Sequence, residues 1–307
     1  MTATEPTRQA HGEDLPKMSF GEHLEELRRR LFVSLSAIAI CVLGMLPFKD
    51  RITDIYVAPY QWMWERLFAD YCREEHARFA AGNMDPLELP LFEALKKLEG
   101  RIADGSLPEH LMRRVNIDSN FQVRPTLVAL GGLDDFWTFM AASLLFGLVL
   151  AAPVVLYQVW AFLAAGLYQN ERRVVLRYVP FATVLLLGGV VFGYTTVVPW
   201  ATYFLMKLMN FMRIEPMLAV SQYFSLLLTM TAALGAVFQL PLLMLALQKV
   251  GITGYQTMRK NWRYVILGIF VLSAIITPSP DPFTQMMMAG PMCLLYVFGL
   301  FLCWRAR

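Results

Sequence analysis

Six stretches of this chain carry no Asp, Glu, Lys, Arg or His, and that segregation constrains the fold more than any other feature of the sequence. Apolar residues make up 57% of the 307 positions and charged ones only 17%. They are gathered into runs close to the roughly 20 residues that cross a bilayer. Backbone in lipid must satisfy its hydrogen bonds internally, so such runs become helices. The chain therefore reads as an all-α integral membrane protein of six transmembrane helices, at about 31–48, 136–167, 178–206, 217–248, 264–277 and 283–304.

The spans differ in ways that proline explains. Pro47 and Lys49 close the first. The second is longer than a bilayer needs, so it is expected to tilt, bend at Pro153 or extend past the surface. Pro241 is expected to bend the fourth and free a carbonyl. Gln239 beside it either satisfies that carbonyl or presents a polar point to a groove. The fifth ends at the Pro-rich turn 278–282 and is roughly 21 Å long, short of the roughly 30 Å hydrocarbon core. Fifth and sixth together are expected as a short hairpin that thins the bilayer or holds its turn inside it. Asp281, the one charge in that turn, reads as an interfacial cap.

Lys and Arg counts set the orientation. The N-terminal segment holds Arg8, Lys17, Arg28, Arg29 and Arg30, the second-to-third loop Arg172, Arg173 and Arg177, and the fourth-to-fifth loop Lys249, Arg259, Lys260 and Arg263. The third-to-fourth loop has only Lys207 and Arg213. Both termini are therefore expected in the cytoplasm. Residues 1–17 read as a mobile cytoplasmic tail, not a cleavable signal. Residues 18–48 are an amphipathic helix with the first span. Residues 49–135 form an external, periplasmic loop with a helical insertion, and 136–307 hold spans two to six with short loops. Within the insertion Trp64, Leu67, Phe68, Tyr71 and Phe79 suggest one amphipathic helix. Leu91, Phe92, Leu95, Leu98 and Ile102 suggest a second. Turns are expected at 83–86 and 104–108.

The charged block 18–31 opens the first span. Ser19 with Glu22 reads as a capping box. Phe20, Leu24, Leu27 and Leu31 form an apolar stripe. Glu25 with Arg29 and Glu26 with Arg30 have the spacing of helical ion pairs. Such a helix is expected at the membrane surface, where it fixes orientation or carries a site.

Little else can carry chemistry. A proton- or ion-coupled carrier needs an ionisable relay at depth. An intramembrane protease needs paired aspartates, a metal site or Ser with His. The spans hold none of these. His11, His23, His76 and His110 lie outside the spans, and Cys41, Cys72, Cys293 and Cys303 lack metal or redox spacing. No cofactor, metal or catalytic residue is expected, and a binding or assembly platform is favoured over an enzyme. Glu171, among Arg172, Arg173 and Arg177, is either an ordinary surface ion pair or part of a site.

Five blocks then carry a resemblance. They are FGEHLEELRRRL at 20–31, APVVLYQVWAF at 152–162, GLYQNERR at 166–173, FQLP at 238–241, and TPSPDPFTQ at 277–285 running into GPMCLLY at 290–296. In this order they resemble the TatC family, the multispanning signal-peptide receptor of the twin-arginine protein translocase. The resemblance implies a cupped six-helix receptor that binds twin-arginine signal peptides of folded cargo at the cytoplasmic face of the inner membrane. It also implies self-association, recruitment of single-span TatA- and TatB-type partners, and export driven by the proton-motive force. Glu26 and Glu171 take the positions of the family's signal-peptide carboxylates, with Arg28 and Phe162 beside them. Thr277 and Gln285 match its partner-helix patch, Asp281 the acid of that turn, and Pro59 the proline of its first external loop. Many relatives have Glu where this chain has Gln239, and Pro where it has Ala165. The segment at about 60–118 is longer than the family's usual loop and lies beyond the resemblance. The competing readings are a multispanning transporter of small substrates and a scaffold whose external insertion binds its own partner.

Overall fold

The computed structural model describes residues 20–83, 89–103, 116–118, 121–122, 131–165, 178–211, 219–249, 251–277 and 281–306. The expected tail at 1–17, the Ser19 end of the capping box, the turn at 104–108 and Glu171 lie outside them. Five helical stretches among the described residues are long and apolar enough to cross a membrane: Leu24–Ala80, Phe136–Phe162, Val179–Leu208, Val220–Lys249 and Pro282–Arg305. Trp262–Ile276 is apolar but shorter.

The charged block and the first span form one continuous helix, α1 (Phe20–Met45). Nothing between Phe20 and Met45 breaks its ladder. Pro47 does break it, through a short 3-10 turn at Leu46–Phe48. The chain then continues as α2 (Lys49–Ala80). Tyr60, Met63, Trp64, Leu67, Phe68 and Cys72 are buried along one face of α2 at helical spacing. Gly82 ends it at φ 70°, and Gly82 N–H donates to Phe79 O and Asn83 N–H to Arg78 O. That pair of bonds is a Schellman cap, which needs a left-handed residue that glycine supplies without strain.

The second amphipathic helix is α3 (Leu89–Ala103), with Phe92, Leu95 and Leu98 buried against α2. Phe79 of α2 stacks on Phe92 at 4.5 Å between ring centres, and His76 lies 3.6 Å from Glu99. Burial, with Glu99 nearby, pushes the Cys72 thiol up to about 12. A small antiparallel ribbon of β1 (Asn116–Asp118) and β2 (Phe121–Gln122) follows. It corrects the all-α expectation locally; two such short strands carry too little alternation to be read from sequence.

The second span is α4 (Asp134–Ala165), which runs through Pro153 without a break. α1 lies along α4. At Gly147 a side chain would meet the Val42 backbone nitrogen at 2.9 Å, so only glycine permits this approach. The third span is α5 (Val179–Phe192), a wider π turn at Gly193–Val197, and α6 (Val198–Phe211). The π turn follows from Pro199, whose ring would strike the Thr195 carbonyl in a regular helix. The fourth span is interrupted just before Pro241, giving α7 (Val220–Val237) and α8 (Leu240–Lys249), as expected.

The chain ends in α9 (Tyr255–Lys260), α10 (Trp262–Ile276) and α11 (Pro282–Arg305). α10 is 15 residues, confirming a short fifth element. α11 is 24 residues and matches the span expected at 283–304 to within one residue at each end, so of the pair expected to be short only the fifth is. The reason is local: Asp281 caps it immediately, its carboxylate accepting from Thr284 N–H at 2.7 Å, and the helix continues past Pro291 to Arg305.

Two cores result. The larger joins α2, α6, α7 and α11 around Tyr60, Met63, Trp64, Val197, Tyr223, Met230, Met288 and Tyr296. The smaller, near the start of α1, holds Leu156, Trp160, Val179, Ala182, Leu242 and Leu245.

Candidate functional site

The charged block presents its carboxylate from the second turn of α1. Glu26 and Arg30, one helical turn apart, form an ion pair whose side chains are 23% and 13% exposed. Arg30 Nε donates to Glu26 Oε1 at 2.9 Å, and Nη2 donates to the same oxygen. Glu26 Oε2 takes no hydrogen bond from any described residue. Across the helix interface Arg30 Nη1 lies 3.4 Å from Gln158 Oε1 of α4. Glu26, Arg29, Arg30, Val33 and Gln158 line an open concavity of about 330 Å³. A carboxylate at its rim with one oxygen to spare is suited to a cation, above all to a planar guanidinium.

The other expected site residues are distributed as follows. Arg28 turns away from Glu26 and sits over the Phe32 ring at 5.8 Å. The Glu25–Arg29 pair, with identical spacing, forms no ion pair among the described residues, so helical spacing permits but does not impose one. Phe162 is half-buried in the last turn of α4, one helical turn beyond Gln158 and on the same helix. Glu171 is not among the described residues.

Thr277 directly follows α10, and Gln285 lies in the first turn of α11. The Thr277 hydroxyl donates to Ser273 O at 2.9 Å, and Gln285 Nε2 donates to Phe270 O at 3.0 Å, which ties α11 to α10. Asp281 is the cap already described. Gln239 does not turn back onto its own helix. Its Nε2 donates to Ala182 O of α5 at 2.9 Å, while its Oε1 is buried with no partner among the described residues. It joins two helices rather than healing the proline kink.

Pro59 sits buried inside α2. Lacking an N–H, it leaves the Ile55 carbonyl without its helical donor. The Tyr194 hydroxyl, from the π turn of the third span, donates to that carbonyl. The Tyr223 hydroxyl of α7 donates to the adjacent Tyr56 carbonyl at 3.2 Å. The proline thus supplies one acceptor that ties α2 to the third span, and the neighbouring Tyr56 carbonyl ties it to the fourth. Sequence reasoning missed Tyr194, Tyr223 and Gln158. The available signal was a lone glutamine near the end of an otherwise uncharged apolar run and tyrosines near span ends, where a polar tip must find a partner.

Comparison with known proteins agrees with this architecture. Residues 22–291 match the family described as Sec-independent protein translocase protein (TatC). A protein of that description from Koribacter versatilis is 36% identical over 293 residues, covering 94% of this chain and 86% of the relative. One from Deinococcus radiodurans is 38% identical over 281 residues, covering 92% and 84%. The crystal structure of a twin-arginine translocase receptor, TatC, in DDM superposes with a TM-score of 0.65 at 26% identity, over 92% of this chain and 99% of that one. With apolar spans, a matching fold and relatives matched over nearly the full chain, this membrane protein belongs to the TatC family of Sec-independent, twin-arginine protein translocase subunits.

Proposed function

We propose that this chain is the receptor subunit of its translocase, taking twin-arginine signal peptides of folded cargo at the Glu26 end and catalysing no covalent reaction. The observation that carries this reading is the Glu26 carboxylate, fixed at the rim of a concavity with Oε2 unengaged among the described residues. Glu171 is the second carboxylate, six residues after Ala165 and next in sequence to Arg172 and Arg173. Two guanidinium groups of one peptide would then meet two carboxylates. Arg28 sets the local charge, and Phe162 offers the peptide an apolar edge.

The loop charges support an inner-membrane protein with six spans and both termini in the cytoplasm. Residues 49–135, with α2 and α3, would then lie on the periplasmic side. TatA- and TatB-type single-span partners would dock at the α10–α11 hairpin. There the Gln285 amide oxygen takes no hydrogen bond from any described residue and would accept from a partner's donor.

The test is crosslinking of a twin-arginine peptide to the purified protein. Hydrogen bonds to charged groups are each worth about 1.5–3 kcal/mol. Glu26→Ala and Glu171→Ala should therefore each weaken binding by about 10- to 100-fold, and the double change further. Undiminished crosslinking in the double variant would overturn the assignment.

A further inference from the structure

The Glu26 carboxylate already holds a guanidinium, that of Arg30. Two of its N–H groups converge on Oε1, which saturates that oxygen, while Oε2 takes no hydrogen bond from any described residue. The third edge of the same guanidinium faces the neutral Gln158 Oε1 at 3.4 Å. Arg30 therefore stands between two acceptors on different helices, one charged and one not. At 13% exposure it is shielded from the screening that makes surface pairs worth little.

Resting on the reading of Glu26 as a guanidinium receptor, we infer that Arg30 is the specificity-determining residue of this site. It is an internal guanidinium that an incoming cation must displace from Oε1, and Gln158 receives it when it moves. Oε2, unengaged among the described residues, gives the ligand its first contact. Two parallel N–H bonds to the carboxylate then require Oε1 as well. An arginine side chain replaces both of the hydrogen bonds that Arg30 gives up, because its planar fork matches the carboxylate. A lysine ammonium is a compact, strongly hydrated point charge without that fork, so it cannot repay the exchange. Discrimination thus comes from the cost of removing a resident competitor, beyond the attraction of the carboxylate itself. Arg28 does not compete, being held over Phe32.

The experiment measures equilibrium binding of a twin-arginine peptide and its twin-lysine counterpart to the full-length protein in detergent. Wild type, Arg30→Gln, Arg30→Lys, Gln158→Leu and Glu26→Gln are compared. In Arg30→Gln the twin-lysine peptide should gain more than the twin-arginine peptide, so their affinity ratio falls about tenfold. Arg30→Lys, which keeps the charge and the fold, should lower the ratio part of the way. Gln158→Leu should weaken twin-arginine binding several-fold alone and have no effect on top of Arg30→Gln. Equal weakening of both peptides in Arg30→Gln, or an unchanged ratio, overturns the inference. If twin-arginine binding is untouched by Glu26→Gln, the receptor reading fails and this inference fails with it. Glu26-dependent binding with an Arg30-independent ratio overturns this inference alone.

Discussion

At the end where α2 lies across α6 and α7, rings and cations interlock. Tyr56 meets Phe224 at 4.2 Å, Tyr60 meets Tyr223 at 5.3 Å, and Arg66 lies over Trp200 at 4.6 Å and Trp62 at 5.4 Å. The Tyr203 hydroxyl donates to Asp70, and Tyr194 and Tyr223 hold the carbonyls around Pro59. At the Glu26 end the core is a handful of residues around Trp160. Beside it α1 leaves Leu24, Leu27, Leu31, Phe32 and Leu35 exposed within the chain. One end is fastened by buried aromatic contacts and hydrogen bonds. The other is a single helix lying on α4 with a polar pair at its edge. A receptor needs that contrast: a fixed frame, and a surface whose side chains can exchange partners.

Three variants probe it. Trp64 is 3% exposed and donates to the Tyr60 hydroxyl at 3.1 Å. Trp64→Ala should cost about 3–5 kcal/mol, read as a fall in thermal midpoint of the solubilised protein. A change near zero would show that the aromatic end is not the frame. Gly147→Val forces a methyl group into the Val42 backbone and should cost about 1–3 kcal/mol. It parts α1 from α4 and so should also weaken twin-arginine peptide binding, which Trp64→Ala should spare in whatever fraction stays folded. Loss of stability with intact binding would separate the α1 seam from the site. Tyr194→Phe should cost about 1 kcal/mol, because it removes the donor to the Ile55 carbonyl. In a Pro59→Ala background that carbonyl regains its helical donor, so the same change should cost almost nothing. An additive double-mutant cycle would refute the pairing of Pro59 with Tyr194.

The spans, the interruption before Pro241, the two helices of the insertion and the short fifth helix were legible in the sequence. Each depends on transfer from water to lipid or on a missing N–H, and both are properties of neighbouring residues. Glu26 was legible as half of an i,i+4 pair and through the family block at 20–31. The small β ribbon was not, since such short pairings carry weak local signals. What the tertiary structure alone decided is who meets whom. Gln239 reaches Ala182 rather than its own kink, Tyr194 finds the carbonyl that Pro59 frees, and Gln158 comes within reach of Arg30. A hydrogen-bond acceptor near the membrane core is chosen by which helix lies alongside. That is fixed by close approaches such as Gly147 on Val42, which no local pattern of residues encodes.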